Sequence, residues 1–392
     1  RLWPQHQHLL AHSPPEMVQA DLTGLVLELA QWGVRDVGQL RWLDPPPAAH
    51  TAQATDLLCR LGALDTAGRI TPHGRAMLQL GAHPRLAHMM LRGGELGYGS
   101  LGCELAALLG ERDPLRGAKP CEADIGLRLE LLRGIGAEGG HSNGLLRQIR
   151  ATARQWQRQL RCDEPPPDHS DLRMIGVLLA FAYPDRIAQR RRGSDRRFVL
   201  SNGRGALFGD AEPLSVADWV VAASLDGRGE ARILLAARIH REQLMEYHGD
   251  LISERSFVDW DDAERCVRAR RQQRLGELVL ADEVWRDADP ESVQSAMLQG
   301  IRAHAPACLP WTDAARQLQA RIGFLHRLMP HDWPDVSDAS LVSGLSDWLL
   351  PYLHGMTRLA QLKRLDLCAV LLARLPWVKQ KRLDELAPVS YT

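Results

Sequence analysis

The sequence has 392 residues, 45% of them apolar and 24% charged, with a formal net charge of zero. That length and apolar content give room for two to four domains and more than one core. No apolar run approaches the ~18 residues of a membrane span, no secretory signal pattern opens the chain, and a neutral total excludes polyanion binding by bulk charge.

Only four of the 48 basic residues are lysine. The basic chemistry is therefore almost wholly guanidinium, which reflects either a GC-rich coding bias or the planar phosphate contacts that arginine makes. Seven scattered cysteines with no CxxC point to a reducing cytoplasm rather than to disulfides or a zinc site. The first residue is Arg1, so the chain is expected to be a piece of a longer protein.

Residues 1–80 read as one small module. Leu22, Leu25, Val26 and Leu29 share a helical face that stops at Gly33. "DPPP" at Asp44–Pro47 is a rigid turn, and Ala54, Leu57, Leu58 and Leu61 keep helical spacing after it. "ALDTAGRIT" predicts two short strands around Gly68, and Thr71 with Pro72 starts another helix. Helices followed by a small β-wing make a winged helix. Near the start, His8 and His12 fall on one face if their segment is helical, with His6 close by. A polar connector competes with a metal site there, because no carboxylate or cysteine completes a ligand set.

Residues 81–185 read as a helical bundle, with Leu172–Tyr183 apolar nearly all round and buried. Gly134–Gly144 is a glycine-rich loop. Residues 186–288 change period. Asn202-Gly203 and Asp226-Gly227 each sit between β-prone runs, and "SFVDWDDAERCVRARRQQRLGELVL" adds further strands, so an OB-like β-barrel is expected. Residues 289–392 return to helix, with Thr312 and Ser337 as N-caps. Leu318, Ile322 and Leu325 form one stripe, and Leu341, Leu345, Trp348 and Leu349 form another.

Catalytic motifs are missing. No lysine follows a glycine, so there is no phosphate loop, and HExxH, GxSxG and EF-hand patterns are absent. Asp261 and Asp262 read as turn residues rather than an acid/base pair. No catalytic residue, metal or cofactor is expected in the chain.

Two basic features remain. In "SNGLLRQIRATARQWQRQLR", Leu145, Ile149, Ala153, Trp156 and Leu160 form one helical face. Arg147, Arg150, Arg154, Arg158 and Arg161 fall within about 80° on the other. Like charges at this spacing cost a few tenths of a kcal/mol each, a cost that a phosphate backbone offsets; a solvated or domain-facing surface fits the pattern too. The second feature is "RIAQRRRGSDRRF", with Arg186, Arg190, Arg191, Arg192, Arg196 and Arg197 leading into the barrel and Arg268, Arg270, Arg271 and Arg274 on a later strand. Basic barrel edges hold single-stranded nucleic acid, and a solubilising linker is the alternative. Phe198 and Phe208 are the few aromatics here, so sequence-specific base reading is not indicated.

The order of parts resembles the accessory half of DEAH/RHA-type helicases. "ADLTGLVLELAQWGVRDVGQLRWLDPPP", "LLCRLGALDTAGRITPHGRAM" and "HPRLAHMML" are similar to that family's winged-helix segment, and "RLW" to the residues after its last helicase motif. "RFVLSNGRGA", "VVAASLDGRGEARI", "LPWTDAARQLQARI", "WPDVSDASL" and "LDELAP" resemble the bacterial HrpB branch, which carries an extra C-terminal domain. The resemblance covers essentially the whole chain. It implies an ATP-dependent RNA helicase or RNA-dependent NTPase whose two RecA-like domains, with ATP and Mg, lie upstream. The winged helix would dock on the second RecA-like domain, and bundle and barrel would close over single-stranded RNA. The branch pattern continues past Thr392, so the last domain is expected to be truncated.

Two other readings stay open. One is a protein-interaction scaffold that docks a partner on the C-terminal helical domain. The other is a winged-helix DNA-binding regulator, against which stands the segment Asp44–Leu64, with Arg60 as its one basic residue beside Asp44 and Asp56.

Overall fold

The computed structural model describes residues 17, 20–34, 36–115, 122–135, 143–162, 169–194, 196–209, 212–227 and 230–389. His6, His8 and His12, and most of the glycine-rich loop, lie outside the described residues. The chain divides into two compact units. The first comprises Arg1–Ser253 with Leu275–Leu278, and the second Glu254–Arg274 with Val279–Thr392.

The first unit opens with α1 (Thr23–Gln31), α2 (Ala48–Arg60) and α3 (Pro72–Gln79). Leu22, Val26 and Leu29 are buried with Ala54, Leu57, Leu58 and Leu61, while Leu25, expected on the same face, is half-buried. Thr71 caps α3 by accepting from the Gly74 amide at 3.0 Å. The two strands expected around Gly68 shrink to one bridge, Leu64 to Ile70. The Asp65 carboxylate holds the turn by accepting from the Ala67 and Arg69 amides at 2.9 Å each, and the ladder cannot lengthen outward because α2 ends at Arg60 and α3 begins at Pro72.

Helices α4 (Pro84–Glu95), α5 (Gly99–Gly110), α6 (Ile125–Arg133), α7 (Asn143–Leu160) and α8 (Ile175–Ala182) follow. α4 packs on α5 and α8, and α5 on α7. Every residue of α8 is buried, which is what an apolar surface all round requires. A Cβ at Gly176 would collide with the Arg238 carbonyl, so glycine alone lets α8 approach the barrel so closely.

The barrel has five strands, β1 (Ile187–Arg190), β2 (Arg197–Leu200), β3 (Gly205–Leu207), β4 (Trp219–Leu225) and β5 (Ala231–Arg238). It closes in the order β1-β2-β3-β5-β4, with β3 and β5 parallel and the other pairs antiparallel. Both hairpin signals are realised, and Gly203 adopts φ 83° in the first turn. Phe198 and Phe208 meet edge to face at 5.3 Å inside the barrel, so neither is available for base stacking. The start of α6 is tied to the barrel, where the Ala236 amide donates to Ala123 at 2.8 Å and the Ala123 amide to Glu212 at 2.7 Å. A short helix, α9 (Arg241–Tyr247), comes after the barrel.

The later strands are a correction to the sequence reading. β6 (Ile252–Asp261), β7 (Cys266–Leu275) and β8 (Leu278–Val284) form a separate three-stranded sheet, not a continuation of the barrel. In the second unit Trp260 of β6 lies directly over Gly300 of α10 (Pro290–His304), and Asp262 pairs with His304 at 2.6 Å. Thr312 and Ser337 cap α11 (Asp313–Leu328) and α12 (Asp338–Ser343). α13 (Leu345–Trp348), α14 (Leu367–Ala373) and α15 (Trp377–Leu386) complete the unit. Its core includes both predicted leucine stripes, with Trp333 and Trp348.

Candidate nucleic-acid interface

Helix α7 is seated by its apolar face. Leu146, Ile149 and Ala153 are buried, while Leu145, Trp156 and Leu160 are half-buried at its margins. The burial axis therefore passes close to Ala153, about 30° round the helix from the centre of the expected face, which takes in Leu146 and leaves Leu145 at the margin.

Four arginines of the stripe, Arg147, Arg154, Arg158 and Arg161, are exposed. None has a carboxylate partner among the described residues. The Arg158 Nε donates back to the Arg154 carbonyl at 3.3 Å, within the helix. From Arg147 to Arg161 the helix rises about 21 Å, so the four guanidinium groups form a row rather than a point charge. Arg161 ends the row in the left-handed region at φ 54°.

Arg150 is placed differently. It is half-buried, and its guanidinium points at the C-terminus of α6, with Nε donating to the Leu132 carbonyl at 2.6 Å. Helical geometry explains the choice, because Arg150 lies about 40° from Leu146 and so borders the buried face.

The opposite border of that face also carries donors. The Trp156 Nε1 donates to the Leu80 carbonyl at 3.0 Å, and the Gln159 amide to the Gln79 carbonyl at 2.7 Å, both at the end of α3. Gln157, on the Arg150 side, reaches the Ser100 hydroxyl at 2.9 Å, at the start of α5. Sequence reading counted Trp156 as apolar and passed over both glutamines. Their role depends on which helix ends lie alongside, which no local pattern encodes.

The second basic set lies at the β1–β2 edge. Arg190 pairs with Asp218 at 2.6 Å, and Arg197 approaches Glu230 at 3.7 Å. Arg191, Arg192 and Arg196 are exposed. Arg186 is half-buried instead, 4.8 Å above the Tyr183 ring and 3.8 Å from Asp185. The β7 arginines lie on the three-stranded sheet and are neutralised there: Arg268 by Asp261 at 2.7 Å, Arg270 by Asp282 at 2.9 Å and Arg271 by Glu254 at 3.0 Å.

Two arginines that drew no attention in the sequence hold the unit together. Arg85 is 7% exposed and makes a bidentate pair with Asp185, at 2.6 and 3.1 Å, and a bond to the Ala182 carbonyl. Arg128, 1% exposed, binds Asp113 and the carbonyls of Glu122 and Asp124. A cleft of about 920 Å³ borders Arg128 and reaches across to Arg232 of β5 and Arg112. Among the described residues no group of three or more His, Cys, Asp or Glu side chains is arranged to hold a metal ion. No helix there is long and apolar enough to cross a membrane.

Comparison with known proteins places these elements. A family model described as "ATP-dependent RNA helicase HrpB, connector region" matches residues 251–284, the span of the three-stranded sheet. A second, "ATP-dependent helicase C-terminal", matches residues 348–392. The chain is 35% identical over 392 residues to "ATP-dependent RNA helicase HrpB" of Escherichia coli (strain K12), covering 99% of this chain and 46% of that protein. It is 33% identical over 96 residues to "Probable ATP-dependent RNA helicase DHX35" of Homo sapiens, covering 24% of this chain and 14% of that one. The crystal structure of E. coli DExH-box NTPase HrpB superposes with a TM-score of 0.61 at 34% identity, over 99% of this chain and 46% of that chain. The chain thus spans about half the length of the E. coli relative.

Proposed function

We infer the function of this chain from its membership of the HrpB-type helicases, of which it is a C-terminal part. In such a helicase it grips single-stranded RNA through backbone contacts, while RecA-like domains outside this chain bind ATP and Mg and drive the movement. The observation that carries this reading is the row of four exposed arginines on α7, set without a carboxylate partner among the described residues. Phosphates supply the missing counter-charge. The spacing along α7 suits an extended strand held by its phosphates, and contacts of that kind carry no base preference.

In this reading residues 1–80 act as a winged helix that docks on the second RecA-like domain, and the five-stranded barrel acts as an OB-like module. Arg191 and Arg192 at the β1–β2 edge add phosphate contacts, with weaker contributions from Arg190, Arg196 and Arg197, which already have interactions of their own. The test is equilibrium binding of the chain to single-stranded RNAs of different sequence and to duplex DNA, with ATP hydrolysis followed in parallel. The reading expects similar affinity for all the RNAs, weaker binding to the duplex and no hydrolysis by this chain alone. Preference for duplex DNA would favour a DNA-binding regulator instead.

A second reading has an observation of its own. Phe324 and Leu328 on α11 and Trp377 and Val378 on α15 are exposed apolar side chains in the second unit, where a partner protein could dock.

A further inference from the structure

We propose that Arg150, Trp156 and Gln159 are positioning residues that latch the arginine row of α7 to the ends of α6 and α3, and that they make no contact with RNA themselves. The inference rests on the RNA-gripping reading above and refines it.

A helix end leaves its last carbonyls without intrahelical donors. α7 supplies such donors to two other helices from the two borders of its buried face. On one border the Arg150 Nε meets the Leu132 carbonyl at 2.6 Å, and its cationic head sits at the negative end of α6, where a positive charge is favoured. The Gly134 and Ile135 amides bond the Leu131 and Glu130 carbonyls, and the Leu132 carbonyl takes the Arg150 side chain. On the other border Trp156 and Gln159 take the Leu80 and Gln79 carbonyls at the end of α3.

The borders fix the rotation of α7 about its own axis. Apolar contacts at Leu146, Ile149 and Ala153 hold the helix down but tolerate a few degrees of roll. Hydrogen bonds on both flanks do not. The exposed guanidinium groups stand at the ends of long side chains, so a small roll moves each of them along its arc. A row that must match successive phosphates needs that rotation held. The α3 latches also join α7 to the N-terminal module, so a displacement of that module is passed to the row without passing through the barrel.

The experiment is fluorescence anisotropy with a labelled single-stranded oligouridine, titrated with the full chain at several salt concentrations. The variants are Arg150→Gln, Trp156→Phe, Gln159→Leu and, as a contact control, Arg154→Gln. Loss of one such hydrogen bond is expected to weaken RNA binding about threefold to tenfold. The log–log salt slope stays at its wild-type value in the three latch variants, while Arg154→Gln reduces it by about 0.7. Trp156→Phe keeps the packed ring and removes only the N–H, so it tests the latch even where Arg150→Gln lowers stability. Unchanged affinity in folded latch variants overturns the proposal, as does a reduced slope in Arg150→Gln, which would make Arg150 a phosphate contact. If Arg154→Gln also leaves affinity and slope unchanged, the RNA-gripping reading itself fails. The two failures are thereby distinguished.

Discussion

His248 is buried, and its Nε2 donates to the Val177 carbonyl at 3.1 Å beneath the Phe181 ring. Burial holds its pKa down to about 4, against 6.5 for a free imidazole, with a smaller opposing pull from the Val177 bond and Asp250. Between those values the unfolded chain takes up a proton that the folded chain refuses. Stability contributed by neutral His248 is therefore full above pH 6.5 and is lost progressively as pH falls toward 4, a loss of about 3 kcal/mol. His88, held down to about 3 by burial and by neighbouring His73, acts in the same direction. Urea midpoints measured from pH 7 to pH 4.5 should fall, and His248→Gln should flatten the fall; equal slopes for both proteins would contradict this. Gly300 sets a second residue-scale prediction. The Trp260 indole occupies the space of a Cβ there, so Gly300→Ala should destabilise the second unit by about 1–3 kcal/mol. A thermal midpoint equal to that of the wild type would show that the ring can move aside.

At the scale of elements, local chemistry was legible where it acts locally. Thr71, Thr312 and Ser337 cap the helices they were expected to cap, because a cap needs only its own next turn. Asn202-Gly203 and Asp226-Gly227 turn their hairpins for the same reason. The α7 stripe was legible as a periodicity, although Arg150 left it for the end of α6. What the sequence did not disclose was which sheet a strand joins. Period-2 alternation in β6, β7 and β8 is the same whether they close a barrel or pair among themselves, and only tertiary contacts decide. Arg85 and Arg128 were equally illegible, since a buried guanidinium depends on Asp185 and Asp113 reaching it from elsewhere in the chain. This difference carries a prediction. Arg268, Arg270 and Arg271 on β7 are already paired with carboxylates, so replacing all three with Gln should leave RNA affinity within about twofold of wild type. A tenfold loss in filter binding would return that sheet to the RNA-contacting surface.

Over the whole molecule the charges cancel, and any affinity for a polyanion has to come from where the arginines stand. Arg85, Arg128, Arg190 and Arg270 are paired with acids and Arg150 with a helix end, while the row on α7 stands exposed and is the surface proposed above to meet RNA. The chain matches about half of its E. coli relative, and in the function proposed above this half holds the strand while nucleotide hydrolysis belongs to domains outside it. The direct test is the salt dependence of single-stranded RNA binding, compared between the wild-type chain and one with Arg147, Arg154, Arg158 and Arg161 all changed to Gln. The account predicts weaker binding and a log–log slope shallower by about 0.7 for each arginine removed. Equal affinity and equal slope in the two proteins would contradict it.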